Sequence, residues 1–512
     1  MEWKIKEITI DEEFLQALFL FSCLFLFCAY VYFATKTQPL GEDEITYMRI
    51  SKEIYQGRFT GFTSDGHPVS APLMLSIISS GLFSIFGVKL AVLKAISTIF
   101  GFFSLIFIYF AVKKTKGIMP AIVASSLMLS IFLFSHLLML AYVETLIMFF
   151  SSLIIFLLTR GRSISYGILL GITIALSLFA KHSAMMFIPI LLIYFFWSGE
   201  HKLYKKYIII AMLIPILVWG LFAIHNILTY KIPAIFGLDT IWIYFYGDPY
   251  PPTSLPEFSN TGVYFIIPMV QDFGILPMLF MCVGFFYVFS ETETKITKIS
   301  HIAILVFLLF SAYYGFRHET RYLMIIVPFM VFGTIGYWKE LQNFFEEQGK
   351  TWAFYIIILG LTVFSIKTSV DTVLLTSRSQ RWNPSYVQGL YWLRDNTTIN
   401  STVFTAYGGS VYYYAERDYT WVTSKFPEIM TTTNSTIIYN DLLEQKADYI
   451  YLWQGIVADN YVVPQSNLFG VFTTNFLNVV SADKTHFQQV FSNDIGVIFK
   501  VVKNESQSGI SQ

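Results

Sequence analysis

Apolar residues in this chain gather into long runs with few charges. A helix needs about 20 such residues to cross a hydrocarbon core of roughly 30 Å, so each run predicts a membrane span. Eleven are expected: Phe14–Ala34, Val88–Val112, Ile118–Ser135, Leu137–Leu158, Tyr166–Ala180, Ser183–Trp197, Tyr207–Leu228, Val263–Ser290, Ile302–Phe316, Tyr322–Trp338 and Trp352–Val370. The first follows a mixed-charge start that includes Glu2, Lys4, Lys6, Glu7 and Asp11. It is too long and too late for a removable leader and lacks a small-residue cleavage site, so it reads as an anchor.

A further apolar segment, Ala71–Phe86, could span the membrane or lie along it. Charge decides. If it does not cross, Lys113, Lys114 and Lys116, then Arg160 and Arg162, then Lys202, Lys205 and Lys206, and finally Lys295 and Lys298 all fall on the side of the amino terminus. That is the cytoplasmic side by the positive-inside rule. If it did cross, the same clusters would face outward, so an interfacial amphipathic helix is expected. Three long stretches then lie outside: Thr35–Gly87, Lys231–Gly262 and everything after about Asp371.

The last of these changes character. Short β-rich runs (Thr402–Ala406, Val411–Tyr414, Tyr449–Trp453, Gly496–Val502) and one helical run, Tyr386–Arg394, predict a small α/β domain. The expected division is therefore a transmembrane domain, residues 1–371, with a functional first external loop at 35–87, followed by an extracytoplasmic α/β domain, residues 372–512. The four N-x-Ser/Thr sequons, at Asn396, Asn400, Asn434 and Asn504, all lie in the second part and add weak support for its outward location.

Composition removes several alternatives. Hydrophobic residues make up 55% of the 512-residue chain and charged residues 13%, with 51 Phe and 32 Tyr. Soluble domains carry about 25% charge, so a soluble multidomain enzyme and a disordered protein are both excluded. The 34 basic and 34 acidic residues cancel, which gives no basic surface for nucleic acid. Cys23, Cys28 and Cys282 sit in apolar runs and match neither a disulfide framework nor a zinc site.

With charge this scarce, the ionisable groups near span ends become candidates for chemistry. Glu42-Asp43-Glu44, with Tyr47 a turn later, opens a helix expected over Asp43–Gly57. Acids there could simply face a helix N-terminus, or could serve as a general base toward a lipid-linked group. His67 lies in the turn-rich stretch Thr60–Pro72, as a proton carrier, a ligand or an ordinary loop residue. His136 and Glu144 bracket a turn, with Glu144 expected about two turns into the fourth span, where a carboxylate is costly unless it has a partner. Lys181-His182 separates two apolar runs, and Arg317-His318-Glu319-Thr320-Arg321-Tyr322 separates two more. The two arginines could clamp a phosphate or snorkel to the interface. Together the acids Asp43, Glu44 and Glu144 and the cations Lys181, Arg317 and Arg321 form a set on one membrane face. They suit removal of an acceptor proton and stabilisation of a departing phosphate.

Several short motifs occur in a familiar order: Asp43-Glu44-x-x-Tyr47, His67-Pro68, Pro72-Leu73, Gly87 before a Lys-bearing span, Arg321-Tyr322-Leu323 with Pro328, and Tyr391-Trp392-Leu393-Arg394-Asp395-Asn396. In these the chain resembles the GT-C glycosyltransferases, above all the dolichyl-phosphate-mannose protein mannosyltransferase superfamily and the aminoarabinose transferases that modify lipid A. The resemblance implies a multispan fold with interfacial helices in its first external loop and an outward-facing site. It implies a dolichyl- or undecaprenyl-phosphate sugar donor and inversion by direct displacement. Asp43 matches the essential acid of the family's Asp-Glu motif, and Arg321 the basic residue of its Arg-Tyr motif. Glu144 falls where relatives often carry an acid. The chain departs where relatives have Pro-Pro-Leu, spreading its prolines over His67–Leu73, which loosens any role for His67. It has no Trp-Trp-Asp motif, unlike oligosaccharyltransferases.

The expectation is thus a multi-pass enzyme of the cell membrane, with a cytoplasmic amino terminus. It would move a monosaccharide from a polyprenyl phosphate to a protein, glycan or lipid acceptor. Asp43 and Glu44 would be catalytic, Arg321, Arg317 and Lys181 would bind phosphate, and Glu144, His67 and Tyr47 would position substrates. Glu44, Glu144 and His67 would position the acceptor or a divalent cation, if the reaction uses one. The rival expectations are a transporter or lipid flippase and a non-catalytic accessory relative.

Overall fold

The structure, a computed structural model, describes residues 12–36, 42–59, 73–230, 277–279, 282, 296, 298–314, 320–379, 384–405, 410–420, 429, 432–453, 457–458, 472–494 and 496–503. His67, Lys295, Arg317, His318, Glu319, Asn504 and nearly all of the expected span Val263–Ser290 lie outside the described residues. The chain divides into two compact units. Met1–Thr37, Ile50–Pro249 and Leu255–Arg378 form one; Gln38–Arg49, Tyr250–Ser254 and Ser379–Gln512 form the other.

The first unit is helical. In order it contains α1 (Glu12–Thr35), the end of α2 (Glu42–Tyr55) from Ile50 on, α3 (Leu73–Phe86), α4 (Leu90–Lys116), α5 (Ile118–Ser130), α6 (Phe132–Met139), α7 (Glu144–Leu158) and α8 (Ile164–Ala180). A 3₁₀ turn (His182–Met186) leads into α9 (Phe187–Ser198), the short α10 (Glu200–Leu203) and α11 (Lys205–Tyr230). Then come α12 (Ile299–Tyr314), a second 3₁₀ turn (Thr320–Ile325), α13 (Val327–Gly333), α14 (Ile335–Glu347) and α15 (Thr351–Ser379). Among the described residues four helices are long and apolar enough to cross a membrane, within α1, α4, α11 and α15; α5 and α6 make a fifth if their bent pair is one span. Apolar side chains also line the outside of the bundle, as at Phe19, Leu221 and Leu359, where lipid replaces water.

Helix contacts follow residue size. On α8, Gly167 and Gly171 let α11 approach so closely that a Cβ at Gly167 would lie 2.8 Å from the Tyr207 carbonyl oxygen. Small residues allow such backbone approach where no hydrophobic effect drives helices together. Across α4 and α7 the hydroxyls of Ser104 and Ser152 meet at 2.7 Å. The α3 helix, at 14 residues, extends only about 21 Å. Its Leu75 and Phe83 are buried while Ile77 and Ile85 are exposed.

Several expected spans are broken, and each break has a local cause. The run Ile118–Ser135 bends by 66° between α5 and α6, at Ile131, whose backbone is extended. The Ser130 hydroxyl just before it bonds to the Leu127 carbonyl, a local bond that competes with the helix ladder. The next break falls at residues 140–143, so His136 lies within α6 and Glu144 is the first residue of α7, not two turns into a span. Tyr322–Trp338, expected as one span, is a 3₁₀ turn followed by α13 and α14. Pro328 stands in the first turn of α13, where its missing N–H costs nothing.

The second unit holds Glu42–Arg49 of α2, α16 (Pro384–Asn396), α17 (Ser435–Glu444), α18 (Thr474–Ala482) and a five-stranded sheet. Its strands are β1 (Thr402–Phe404), β2 (Asp418–Thr420), β3 (Tyr449–Trp453), β6 (Phe487–Ser492) and β7 (Gly496–Val501), ordered β2-β1-β3-β7-β6; β4 (Val457–Ala458) and β5 (Phe472–Thr473) form a separate pair. β2, β1 and β3 are parallel, whereas β7 and β6 run antiparallel to their neighbours. Successive residues point to opposite faces. Phe404, Ile450, Leu452 and Phe499 therefore pack with Ile438 and Leu442 of α17 and Phe476 of α18. Val403, Tyr451 and Ile498 pack with Leu390 and Leu393 of α16 on the other face. The expected strand Val411–Tyr414 is instead a π-helical turn, Val411–Ala415. Parallel neighbours need a crossover connection, and this segment lies in the one between β1 and β2, which overrides its β-forming residues.

Candidate active site

In the first unit, three of the residues singled out in the sequence come together at one end of the bundle. Glu144 opens α7, where a carboxylate faces the positive end of the helix dipole; Lys181 follows the last turn of α8, where a cation faces the negative end. Lys181 Nζ lies 2.5 Å from Glu144 Oε1, and Arg321 Nε lies 3.8 Å from the same oxygen. The Arg321 guanidinium also sits over the Tyr142 ring, 5.3 Å from its centre. The pair is buried, with side chains 7% and 4% exposed, while Arg321 keeps 23% of its surface. Burial of a charge is costly unless it is paired, so Lys181 is what allows Glu144 to stand here. Glu144 Oε2 is buried with no hydrogen-bond partner among the described residues.

The surrounding backbone is tied down by hydroxyls. Thr145 Oγ1 and Ser97 Oγ both donate to the Tyr142 carbonyl, at 2.9 and 3.4 Å, and Thr98 Oγ1 reaches the Leu138 carbonyl at 3.3 Å. Ser151 Oγ donates to Ile325 O at 2.7 Å, fixing the segment that carries Arg321 against α7. Such contacts hold a charge cluster in one geometry, as a positioned site requires.

The other expected site residues fall elsewhere. Asp43, Glu44 and Tyr47 stand on the part of α2 that groups with the second unit; Glu44 and Tyr47 are buried and Asp43 is half-buried. Arg317 and His67 lie outside the described residues. Among the described residues no three His, Cys, Asp or Glu side chains converge as ligands for a divalent cation; His67, expected at such an ion with Glu44 and Glu144, lies outside them.

Residues 70–225, the stretch holding Glu144 and Lys181, match the family model described as dolichyl-phosphate-mannose-protein mannosyltransferase. No curated protein sequence matches the chain. Among solved structures it is similar to ArnT from Cupriavidus metallidurans in the apo state, at 11% identity and a TM-score of 0.66, over 95% of this chain and 98% of that one. The same protein bound to undecaprenyl phosphate gives 0.65 over the same shares. The oligosaccharyltransferase of Archaeoglobus fulgidus, in complex with Zn and sulfate, gives 0.63 at 14% identity, over 84% of this chain and 67% of that one. The chain has the GT-C fold. It is a multi-pass membrane protein with a C-terminal sheet domain.

Within this GT-C bundle the opposite end carries the basic clusters. Arg162, just before α8, grips Glu200 through two hydrogen bonds of 2.7 and 3.0 Å, and the Tyr194 hydroxyl donates to Glu200 at 2.9 Å. Lys298 lies 5.6 Å from the Trp197 ring centre. Two residues near the Glu144 end were not selected from the sequence. Lys94 is buried on α4, and its Nζ donates to the Thr35 carbonyl at the end of α1, 3.1 Å away. As a lone charge in an apolar run it was visible, because an ionisable residue in a span is a site candidate by default. Tyr142 carried no such signal; only the fold sets its ring beneath Arg321.

Proposed function

We propose that this protein is a membrane glycosyltransferase. It transfers a monosaccharide from a dolichyl- or undecaprenyl-phosphate donor to a protein, glycan or lipid acceptor on the outer face of the cell membrane. The observation that carries this reading is the buried Glu144–Lys181 pair with the partly exposed Arg321 beside it, at one end of a GT-C bundle. Arg321 would bind the donor phosphate through its planar N–H fork, with Lys181 adding charge and Glu144 holding both cations in place. Asp43, matched to the family's essential acid by its Asp-Glu motif, would accept the proton of the acceptor hydroxyl. The acceptor oxygen then attacks the anomeric carbon, the carbon–oxygen bond to phosphate breaks with its electrons leaving on the phosphate, and configuration inverts. Glu44 and Tyr47 would orient the acceptor.

The test uses membranes holding the full chain, incubated with undecaprenyl- and dolichyl-phosphate carrying labelled mannose, glucose or aminoarabinose. Label should move to an acceptor. Asp43→Asn should abolish transfer while the protein stays folded, and Arg321→Ala should cost about 10²–10³-fold by removing charge stabilisation from the leaving phosphate. Full transfer by the Asp43 variant, or label released only to water, would overturn the assignment.

A further inference from the structure

The helix that carries Asp43 and Glu44 is fastened by a residue outside that motif. Arg49, less than two turns further along α2, donates from Nη1 to the Tyr419 hydroxyl at 2.9 Å, a contact bridging 370 positions of chain. Its guanidinium also faces the Tyr412 ring, 6.0 Å from the centre. Tyr419 lies on β2, an end strand of the five-stranded sheet, in register with Val403 of β1; Tyr412 lies in the π-helical turn that connects those strands. Tyr419 packs against the buried cluster of Leu390, Leu393 and Tyr451. The anchor therefore stands on the core of the C-terminal domain. By its contacts, Gln38–Arg49 groups with that domain although it precedes it by more than 300 residues.

Helix geometry says what this anchor controls. At 100° per residue, Asp43 and Arg49 lie about 120° apart around the α2 axis. The next turn, Ile50 and Ile54, packs against Leu73 and Phe59, and Tyr55 meets the Phe83 ring edge-on. These apolar contacts hold the far end of the helix but are non-directional. The Arg49 hydrogen bond is directional and resists rotation of the helix. A turn of about 10° would move a carboxylate roughly 6 Å from the axis by about 1 Å. A displacement of that size can cost on the order of 10²-fold in rate.

We infer that Arg49, held by Tyr419 and Tyr412, is a positioning residue for the reaction, and that the C-terminal domain acts by setting the rotation of the Asp43–Glu44 helix. This rests on the glycosyltransferase reading above. The experiment measures kcat and donor KM of the full chain in membranes, with whichever labelled polyprenyl-phosphate sugar the unaltered protein consumes. Arg49→Ala should lower kcat by about 10- to 100-fold, with KM changed by less than about threefold. Tyr419→Phe, which removes one hydroxyl, should give a smaller loss of kcat, and Arg49→Lys should recover part of the Arg49→Ala loss. Adding Tyr419→Phe to Arg49→Ala should cost little more, since the two residues share one interaction. Amide exchange over Ile45–Ser51 should accelerate in Arg49→Ala. Unaltered kcat in Tyr419→Phe and Arg49→Lys overturns the inference, which keeps it testable where Arg49→Ala fails to fold. If Asp43→Asn remains active, the underlying reading fails instead; if it is inactive while Arg49→Ala is fully active, only the positioning role fails.

Discussion

Glu144 and Lys181 show how a charge survives inside an apolar bundle. Each would be intolerable alone, and removing one partner of a buried pair costs on the order of 3–5 kcal/mol because the other is stranded. Lys181→Met should therefore destabilise the protein by roughly that amount, read as a large drop in melting temperature in detergent. Combining it with Glu144→Gln should recover much of the loss. A single-variant melting temperature equal to that of the unaltered protein would count against the pairing. Asp483, in the second unit, makes a contrasting case. Burial pushes its carboxyl upward, but the Ser435 hydroxyl, the His486 ring and the N–H groups of His486 and Thr485 outweigh it and hold the pKa at about 2. A depressed carboxyl contributes stability that is present above its ordinary value, 3.8, and is lost as pH falls through about 2. The stability difference between the unaltered protein and Asp483→Asn should thus be constant near neutrality and shrink between about pH 4 and 2. A difference that grows on acidification would refute it.

At the scale of elements, the glycines of α8 and α11 separate packing from propensity. Ala is favoured over Gly in a helix by about 1 kcal/mol where nothing obstructs it. Gly220 has open space around its Cβ position, so Gly220→Ala should be neutral or stabilising. Gly167 faces a backbone oxygen that cannot swing away, so Gly167→Ala should lower the melting temperature despite the better helix former. Equal shifts for the two would mean that α8 and α11 are not held in this contact. The breaks within spans were harder to read. Residues 140–143 are as apolar as their flanks, and nothing in Leu-Ala-Tyr-Val names them as the end of a helix. The turn exists because Thr145, Ser97 and Thr98 supply hydroxyls to carbonyls that the ladder leaves open.

For the molecule as a whole, the proposed topology assigns the two ends of the bundle to opposite sides of the membrane. Lys116 and Arg162 lie toward the end opposite Glu144 and Lys181, since α4 and α7 each run from one to the other. Alkaline phosphatase fused after Gln512 should be active outside the cytoplasm, and fused after Lys116 it should be inactive. The reverse pattern would turn every candidate site residue to the wrong face.

Much of this is legible in the sequence alone. Membrane residence, the places of α1, α4, α8, α11 and α15, and the strand Tyr449–Trp453 follow from local pattern, because solvent and lipid act on each segment independently of its neighbours. Glu144, Lys181 and Arg321 could be singled out for the same reason, as rare charges in apolar surroundings. Their convergence could not, since it depends on where α7, α8 and a 3₁₀ turn end relative to one another. Nor could the pairing of Arg49 with Tyr419. That contact is a product of sheet order and crossover, and residues 370 positions apart carry no local trace of meeting.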